Sequence, residues 1–221
     1  MATIAAAHSK WLSPTLKILF VKTSSLGDVV HHCPAVSDAA RAIPGAAIDW
    51  VVEEPFAAVA AMHPAVRRVI PVAVRRWRSA WWRSEAREEM SAFHRALRAE
   101  HYDAVIDAQS LIKSALISRL ADGRRHGMDR ASAREPLAAW FYDVRHAVPR
   151  GAHAVERNRR LTAAALGFVP GPEIDYGLQS VEGEKKREAV FLTMTSRADK
   201  LWPEERWIAL GAALAMPVVL P

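Results

Sequence analysis

The sequence predicts an α/β protein with a Rossmann-like parallel sheet, and three observations support this fold class. Short apolar runs rich in Ile, Val and Phe recur along the chain, bounded by Gly, Pro or small polar residues, as buried parallel strands are. Segments with a helical spacing of apolar residues lie between these runs, which gives the alternating order of β-α-β units. The 221 residues are 51% hydrophobic, so the chain can bury a substantial core.

The first strand is predicted at residues 16–22, where an apolar run precedes the small polar residues Thr-Ser-Ser and a glycine. Asp28 follows and is predicted to be the N-cap of a helix that ends near residues 43–45, with Pro34 distorting its early turns. This loop should lie at the C-terminal edge of the sheet, where α/β folds bind ligands. From the pattern alone, Asp28 is either an ordinary cap or a functional carboxylate.

The later elements repeat this order. Pro71 indicates the end of a strand, and Met90, Phe93 and Leu97 at helical spacing predict the buried face of a long helix. The strands are predicted at 47–52, 69–72, 102–107 and 124–128, and the helices at 56–62, 84–100, 111–121, from 136 and at 153–166.

The fourth strand brings a second polar loop into the prediction. Asp107 ends this strand and Gln109 follows it, so both should face the same crevice as Asp28 if the sheet is parallel. A strand-end Asp often caps the next helix. A structural and a functional role therefore remain equally open for Asp107.

Composition along the chain predicts two domains. Residues 1–15 form an N-terminal extension, and residues 16–167 form a Rossmann-like domain. Residues 168–187 are rich in Pro, Gly and charge, which is typical of an interdomain connection. Residues 188–221 hold one β-α-β unit, the start of a second domain, and one such unit is too small to bury its own core. We therefore expect the chain to be truncated within that second domain.

Positive charge is concentrated in one part of the chain. The net charge is +6, and no Asp or Glu occurs between Pro55 and Ser84. Residues 75–83, which we name the Arg/Trp segment, cannot on this pattern be core; they predict a solvated face, a nucleic-acid surface or a membrane-surface patch. The arginines of this acid-free stretch are Arg67, Arg68, Arg75, Arg76, Arg78 and Arg83, and its tryptophans are Trp77, Trp81 and Trp82.

The N-terminal residues lack the pattern of a secretory leader, and no apolar run reaches the length of a membrane span. Cys33 is the single cysteine, so an internal disulfide is impossible. A small buried hydrophobe is the favoured role for that side chain. We expect a cytoplasmic protein.

Several ordered segments resemble one enzyme family. The string KTSSLGDVVHHCPAV at residues 22–36 resembles the N-terminal signature of the lipopolysaccharide heptosyltransferases of Gram-negative bacteria, glycosyltransferase family 9. The resemblance extends from about residue 16 to the end of the chain. Further matching segments, in order, are VIPVAVRRWR, YDAVIDAQSLIKSA, RHGMD, AREPLAAWFY, HAVERNR and DKLWPEERW.

This resemblance implies a GT-B fold and an inverting, metal-independent transfer of L-glycero-D-manno-heptose from ADP-heptose. The branch of the family that adds the first heptose fits best, with the Kdo sugar of Kdo2-lipid A as the acceptor in inner-core synthesis. The branch that adds the second heptose, or another later core sugar, is the alternative. A peripheral enzyme on the cytoplasmic face of the inner membrane is implied, as is a monomer, although the present chain should have little activity alone.

The resemblance also assigns site residues. Asp28 is the expected catalytic base, because an inverting transfer needs a group that takes the proton from the attacking hydroxyl. No Asp-x-Asp pair occurs in the sequence to hold a metal on the diphosphate, so no metal or other cofactor is expected. The expected donor-binding residues are Thr195, Ser196 and Lys200. The expected acceptor-binding residues are Lys22, Ser24, Ser25, Arg75, Arg76, Arg78, Gln109, Lys113 and Arg134.

Three other classes of function are weaker. A nucleotide-binding oxidoreductase would need a G-x-G-x-x-G loop, and the loop after the first strand contains only Gly27. A nucleic-acid-binding module on the Arg/Trp segment and a non-catalytic protein of the membrane surface are both compatible with the charge pattern. Binding to single strands or to vesicles would discriminate them.

Overall fold

A computed structural model describes residues 15–179, 186–195 and 198–220. The chain divides into two compact units, one up to residue 180 and one from residue 181. The first unit contains a sheet of six parallel strands in the order β3-β2-β1-β4-β5-β6. These strands are β1 Lys17–Val21, β2 Ala47–Glu53, β3 Val66–Val72, β4 His101–Asp107, β5 Asp122–Met128 and β6 Val144–His146.

Seven described helices connect or cover these strands. They are α1 Leu26–Val30, α2 Cys33–Ala42, α3 Ala57–Ala61, α4 Val74–Ala80, α5 Ser84–Arg98, α6 Ile112–Leu120 and α7 Ala154–Leu166, with short 3-10 helices at Glu54–Phe56 and Pro136–Phe141. The left-handed backbone of Gly167, with φ of 81°, ends α7. The predicted α/β class with a parallel sheet is therefore confirmed.

The two faces of the sheet carry separate cores because side chains alternate along each strand. Ile18 and Phe20 of β1 belong to a cluster that includes Leu161 of α7. Leu19 belongs to a second cluster that includes Leu97 of α5. Burial on both faces explains why the central strands are continuous apolar runs in the sequence.

The prediction of one helix after β1 is wrong in two respects, the residue at which the helix begins and its extent as a single helix. Ser25, not Asp28, is the N-cap, and Asp28 is the third residue of α1. Residues 31–32 separate α1 from α2, which begins at Cys33. Pro34 lies in the first turn of α2, where its missing N–H leaves no hydrogen bond unmade.

Three further differences concern local packing. Met90 is 43% exposed, whereas Phe93 and Leu97 are buried as predicted, and Ala86 completes the buried face of α5. Pro71 lies within β3, and this is compatible with its place at the edge of the sheet. The three-residue strand β6 was not predicted, since it is too short to show a period.

The second unit contains a pair of short parallel strands, β7 Ala189–Val190 and β8 Val218–Val219, and the helix α8 Glu204–Ala213 between them. A 3-10 helix at Ala198–Lys200 precedes α8. These elements form one β-α-β unit, the order predicted for residues 188–221. Among the helices that the structure describes, none is long and apolar enough to cross a membrane.

Candidate active site

A cavity of about 330 Å³ opens at the C-terminal edge of β1 and β4 in the first unit. The loops that follow these two strands form part of its wall, as the position at the edge of a parallel sheet predicts. The first turn of α7 forms another part. Its polar lining includes Lys22, Asp28, Gln109, Ser110, Arg134 and Arg157.

Asp28 is a partly exposed carboxylate at this cavity, with 26% of its side chain accessible. Its Oδ2 accepts the backbone N–H of Ser25 at 3.0 Å, an interaction typical of a capping box. Nη1 of Arg134 lies 3.6 Å from Oδ2, and Nζ of Lys22 lies 4.0 Å from Oδ1. The carboxylate is therefore oriented from three sides while it remains accessible to a ligand, and it can accept a proton there.

Lys22 connects the ends of β1 and β4. The side chain is buried, and Nζ donates to the carbonyl oxygen of Ala108 at 2.9 Å. Burial lowers the pKa of Lys22 to about 8, and the nearby charge of Asp28 opposes this shift. The expected acceptor residue Lys22 is thus a fixed cation of the cavity wall.

Asp107 holds the second loop in place. Its Oδ1 accepts the backbone N–H groups of Gln109 at 2.8 Å and Ser110 at 3.1 Å. Its Oδ2 accepts the hydroxyls of Ser114 and Tyr142, each at 2.8 Å. Burial raises the pKa of Asp107, and the hydrogen bond from Tyr142 opposes this shift. Because four donors saturate this buried carboxylate, its role is structural.

Gln109 and the two serines after β1 lie together at this edge. Oε1 of Gln109 accepts the backbone N–H of Ser24 at 3.4 Å, so the loops after β1 and β4 contact each other. Ser24 is buried, whereas Ser25 is exposed at the start of α1. The structure thus brings Lys22, Ser24, Ser25, Gln109 and Arg134 close to Asp28.

The Arg/Trp segment begins with α4 and does not line this cavity. Trp77 is buried, and its indole N–H donates to Oε2 of Glu89 at 2.7 Å, so the prediction that this segment cannot be core is wrong for Trp77. Trp81 and Trp82 remain 64% and 58% exposed. The helical period explains the difference, because only one side of a short helix faces the sheet.

The expected acceptor cations of this region differ in their partners. Nη2 of Arg76 lies 3.0 Å from Glu54, and Nη1 lies 2.7 Å from Glu89, so two carboxylates already neutralise this guanidinium. Arg75 and Arg78 are exposed. Lys113 lies on α6, and its charge and that of Arg75 act on the buried carboxyl of Glu53, whose pKa is raised by burial. None of these four cations lines the cavity around Asp28.

Sequence reasoning missed Arg157 and Ser110. Arg157 lies in the first turn of α7, and its Nη2 donates to the carbonyl oxygen of Ser132 at 2.5 Å. Burial lowers the pKa of Arg157, and the charges of Arg150 and Arg134 lower it further. The segment HAVERNR had shown a family resemblance. No local pattern, however, indicates which residue of a helix will face a cavity.

The expected donor residues lie in the second unit. Thr195 follows β7, and Lys200 ends the 3-10 helix at Ala198–Lys200, where its side chain is exposed. Ser196 lies outside the described residues. Over residues 15–179, 186–195 and 198–220, no group of three or more His, Cys, Asp or Glu side chains is arranged to hold a metal ion.

Comparison with known proteins identifies the family. Residues 90–217, more than half of the chain, match the model of "Glycosyltransferase family 9 (heptosyltransferase)". The chain belongs to glycosyltransferase family 9. The resemblance to this family predicted from the ordered segments is therefore confirmed.

Two family 9 relatives place the chain within the family. The lipopolysaccharide heptosyltransferase 1 of Escherichia coli (strain K12) is 52% identical over 207 residues, which are 90% of this chain and 65% of the relative. The protein of the same name from Salmonella typhimurium (strain LT2) is 51% identical over 216 residues, covering 93% of this chain and 68% of the relative. The chain thus spans about two thirds of the length of these relatives.

Solved structures agree with this placement. The E. coli heptosyltransferase WaaC with ADP has a TM-score of 0.86 at 50% identity, over 93% of this chain and 68% of that chain. WaaC with ADP-2-deoxy-2-fluoro heptose has a TM-score of 0.85 at 50% identity, over 93% and 69%. E. coli heptosyltransferase II shares 21% identity with a TM-score of 0.70, which shows a common fold alone. The predicted GT-B fold class is confirmed, and the resemblance is to heptosyltransferase I.

Proposed function

We propose that this family 9 chain supplies the acceptor site and the catalytic base of an inverting heptosyltransferase. The donor is ADP-L-glycero-D-manno-heptose, and the acceptor is the Kdo sugar of Kdo2-lipid A. The observation that carries this proposal is Asp28, a partly exposed carboxylate at a cavity whose other charged lining residues are Lys22, Arg134 and Arg157. The relatives solved with ADP and with an ADP-heptose analogue support the donor class.

In this mechanism Asp28 accepts the proton of the attacking acceptor hydroxyl. The hydroxyl oxygen forms a bond to the anomeric carbon of heptose as the bond from that carbon to the phosphate oxygen breaks, so the configuration inverts. ADP leaves with the electron pair of the broken bond. Thr195, Ser196 and Lys200 are the proposed contacts of the diphosphate, whose charge needs stabilisation at that moment.

The role of Asp28 is tested by replacing it with Asn. Because a positioned base contributes about 10²- to 10⁴-fold, D28N should lower turnover on that scale and leave the KM for the acceptor nearly unchanged. The assay measures transfer from radiolabelled ADP-heptose by the 221-residue chain and by a chimera in which the remaining third of the E. coli relative follows it.

Asp122→Asn is the matched control. Asp122 begins β5 at the opposite edge of the sheet and is about half exposed, so its replacement should not change turnover. A chimera whose D28N variant transfers heptose at the unaltered rate would contradict the proposed base. The isolated chain should bind the acceptor and show little or no turnover.

The exposed part of the Arg/Trp segment supports a membrane-bound acceptor. Trp81 and Trp82 form an exposed edge-to-face pair with ring centroids 6.1 Å apart, and exposed arginines flank them in sequence. Trp prefers the bilayer interface, and Arg binds phosphate through its planar fork. We propose that this surface rests on the cytoplasmic face of the inner membrane.

Co-sedimentation with vesicles tests this surface. Replacing Trp81 and Trp82 with Ser should release the chain from vesicles that contain lipid A. Trp140→Ser is the control, since Trp140 is also 64% exposed but lies outside the Arg/Trp segment. Equal retention of both variants would contradict the membrane contact, and tight, salt-dependent binding to single-stranded nucleic acid would favour the competing interpretation.

A further inference from the structure

The cavity beside Asp28 has an uncompensated positive charge. Three cationic side chains line it, Lys22, Arg134 and Arg157, against the single carboxylate of Asp28 among its lining residues. Asp28 lies within 4.0 Å of Lys22 and Arg134. Arg157 forms no ion pair with any carboxylate in the described part of the chain, and the charges that act on it are those of Arg150 and Arg134. A partly buried cation without an anion is costly, so this arrangement favours an anionic ligand.

Arg157 also retains unused hydrogen-bonding capacity. Its Nη2 donates to the carbonyl oxygen of Ser132 and lies 3.1 Å from the sulfur of Met128, which fixes one end of the guanidinium. Its Nε is buried and has no partner among the described residues. A guanidinium presents its N–H groups as a planar fork that fits the two oxygens of a carboxylate.

Ser110 provides a second, independent observation on the same cavity. The residue is 1% exposed and lines the cavity, while its Oγ has no hydrogen-bond partner in the described structure. Its backbone N–H donates to Asp107 at 3.1 Å, so the backbone that carries the hydroxyl is fixed at the cavity wall. Buried hydroxyls are normally hydrogen-bonded, and an unpaired one in a cavity wall points to a ligand oxygen.

The first turn of α7 adds to this potential. Ala154 and Arg157 of this turn line the cavity, as does the next residue Asn158, and the helix is 13 residues long. The N-terminus of a helix carries a partial positive charge. This end of α7 therefore favours the same kind of ligand as Arg157 and Ser110.

We propose that Arg157, Ser110 and the first turn of α7 form a subsite for the carboxylate of an acidic acceptor sugar. This assignment rests on the proposed function, because it places the acidic group so that a hydroxyl of the same sugar reaches Asp28. Arg157 and Ser110 are then acceptor-binding residues that select acidic sugars. Lys22 and Arg134 are left to orient the base.

The test measures binding, without turnover, to the 221-residue chain. Isothermal titration compares the methyl α-glycoside of Kdo with the same glycoside in which the carboxylate is replaced by a carboxamide. Because hydrogen bonds to charged groups are strong, R157Q should weaken binding of the carboxylate about 10- to 100-fold and leave binding of the carboxamide nearly unchanged. R157K, which keeps the charge but not the fork, should recover part of the loss.

Two further variants serve as a matched control and as a second probe of the subsite. Arg160→Gln is the matched control, since Arg160 lies on the same helix, is exposed and pairs with Glu156 at 2.6 Å, so its loss should not change binding. Ser110→Gly removes the hydroxyl, and glycine accepts the positive φ of 57° at this position. S110G should weaken binding of the carboxylate about 2- to 10-fold, and it tests the subsite even if R157Q does not fold.

Several outcomes would overturn the assignment. If R157Q weakens binding of the carboxylate and carboxamide glycosides equally, Arg157 does not recognise the carboxylate. The same conclusion follows if neither R157Q nor S110G weakens binding of either glycoside. If R157Q instead weakens binding of inorganic phosphate alone, the subsite belongs to a phosphate. If the unaltered chain binds neither glycoside, the proposed acceptor fails and the subsite with it, whereas an unaltered rate in D28N overturns only the proposed base.

Discussion

Lys22 shows how a single side chain couples the candidate site to stability. Burial lowers its pKa to about 8 from the ordinary value of 10.5. Between these two pH values the folded chain has released the proton and the unfolded chain still binds it. The contribution of Lys22 therefore raises the free energy of unfolding by about 3 kcal/mol as the pH rises through this window. Below pH 8 the buried side chain is charged, and the folded chain is less stable by that amount than it is at pH 10.5.

Lys22→Met should remove this dependence. The stability difference between K22M and the unaltered chain is expected to be most favourable to K22M at pH 7 and to shrink by about 3 kcal/mol as the pH rises to 10.5. Urea unfolding across this range measures it. Lys186→Met removes an exposed lysine and should leave the profile unchanged. A difference between K22M and the unaltered chain that does not vary with pH would contradict the lowered pKa.

At the same scale, the position of Asp28 could be predicted and its neighbours only in part. A strand, a polar loop and a helix start are local signals, so the carboxylate was expected at the sheet edge. The choice of cap was wrong because Ser25 and Asp28 are three residues apart, the spacing of a capping box, and that spacing fits either residue as the start. Arg157 reaches the cavity through the packing of α7, which no local spacing encodes.

At the scale of elements, β5 packs closely against Tyr142, the residue that follows the 3-10 helix Pro136–Phe141, and this contact supports the candidate site. Gly127 of β5 lies directly against the ring of Tyr142, and a Cβ at this position would overlap that ring. The hydroxyl of Tyr142 in turn donates to Asp107, which holds the loop containing Gln109 and Ser110. The glycine is therefore required by space, not by an unusual backbone angle.

Gly127→Ala should destabilise the chain by about 1–3 kcal/mol, as overpacking of a well-packed core does. Because the displaced Tyr142 also loses its hydrogen bond to Asp107, G127A should weaken acceptor binding as well. Urea unfolding and titration with the Kdo glycoside measure the two effects. Gly151→Ala is the control, since a Cβ there meets nothing within 4 Å. If G127A were as stable as G151A, the packing around Tyr142 would not constrain this element.

Elements could be predicted where the period was long enough to see. The central strands β1, β2 and β4 are buried on both faces and appear as continuous apolar runs. β6 has three residues, and its existence depends on pairing with β5, which lies far from it in sequence. The break between α1 and α2 was missed because Pro34 is tolerated equally in a distorted turn and in a new first turn.

At the scale of the whole molecule, the first unit extends beyond the end of α7. Arg159 is buried and pairs with Asp38 of α2 at 2.6 Å. Its Nη2 also donates to the carbonyl oxygens of Gly171 at 2.6 Å and Glu173 at 2.9 Å. The backbone N–H of Gln179 donates to the carbonyl oxygen of Met62 at 3.2 Å. Residues 168–179, within the predicted interdomain connection, are thus bonded to the first unit.

The two units also differ in how much apolar surface they bury. Both large clusters of buried apolar side chains belong to the first unit, one on each face of its sheet. Among the described residues of the second unit, Phe191 is the single buried apolar side chain. Since burial of apolar surface is the main favourable contribution to folding, the stability of the first unit should not depend on the second.

Two truncated variants test this division of stability. A chain that ends at residue 180 should unfold at the same urea midpoint as the full chain and bind the Kdo glycoside with the same affinity. A chain that ends at residue 167 removes the carbonyl partners of the buried Arg159 guanidinium, so it should lose about 2–5 kcal/mol. Equal midpoints for the two variants would show that residues 168–179 add nothing to the first unit. A lower midpoint for the chain ending at 180 would instead show that the second unit stabilises the first.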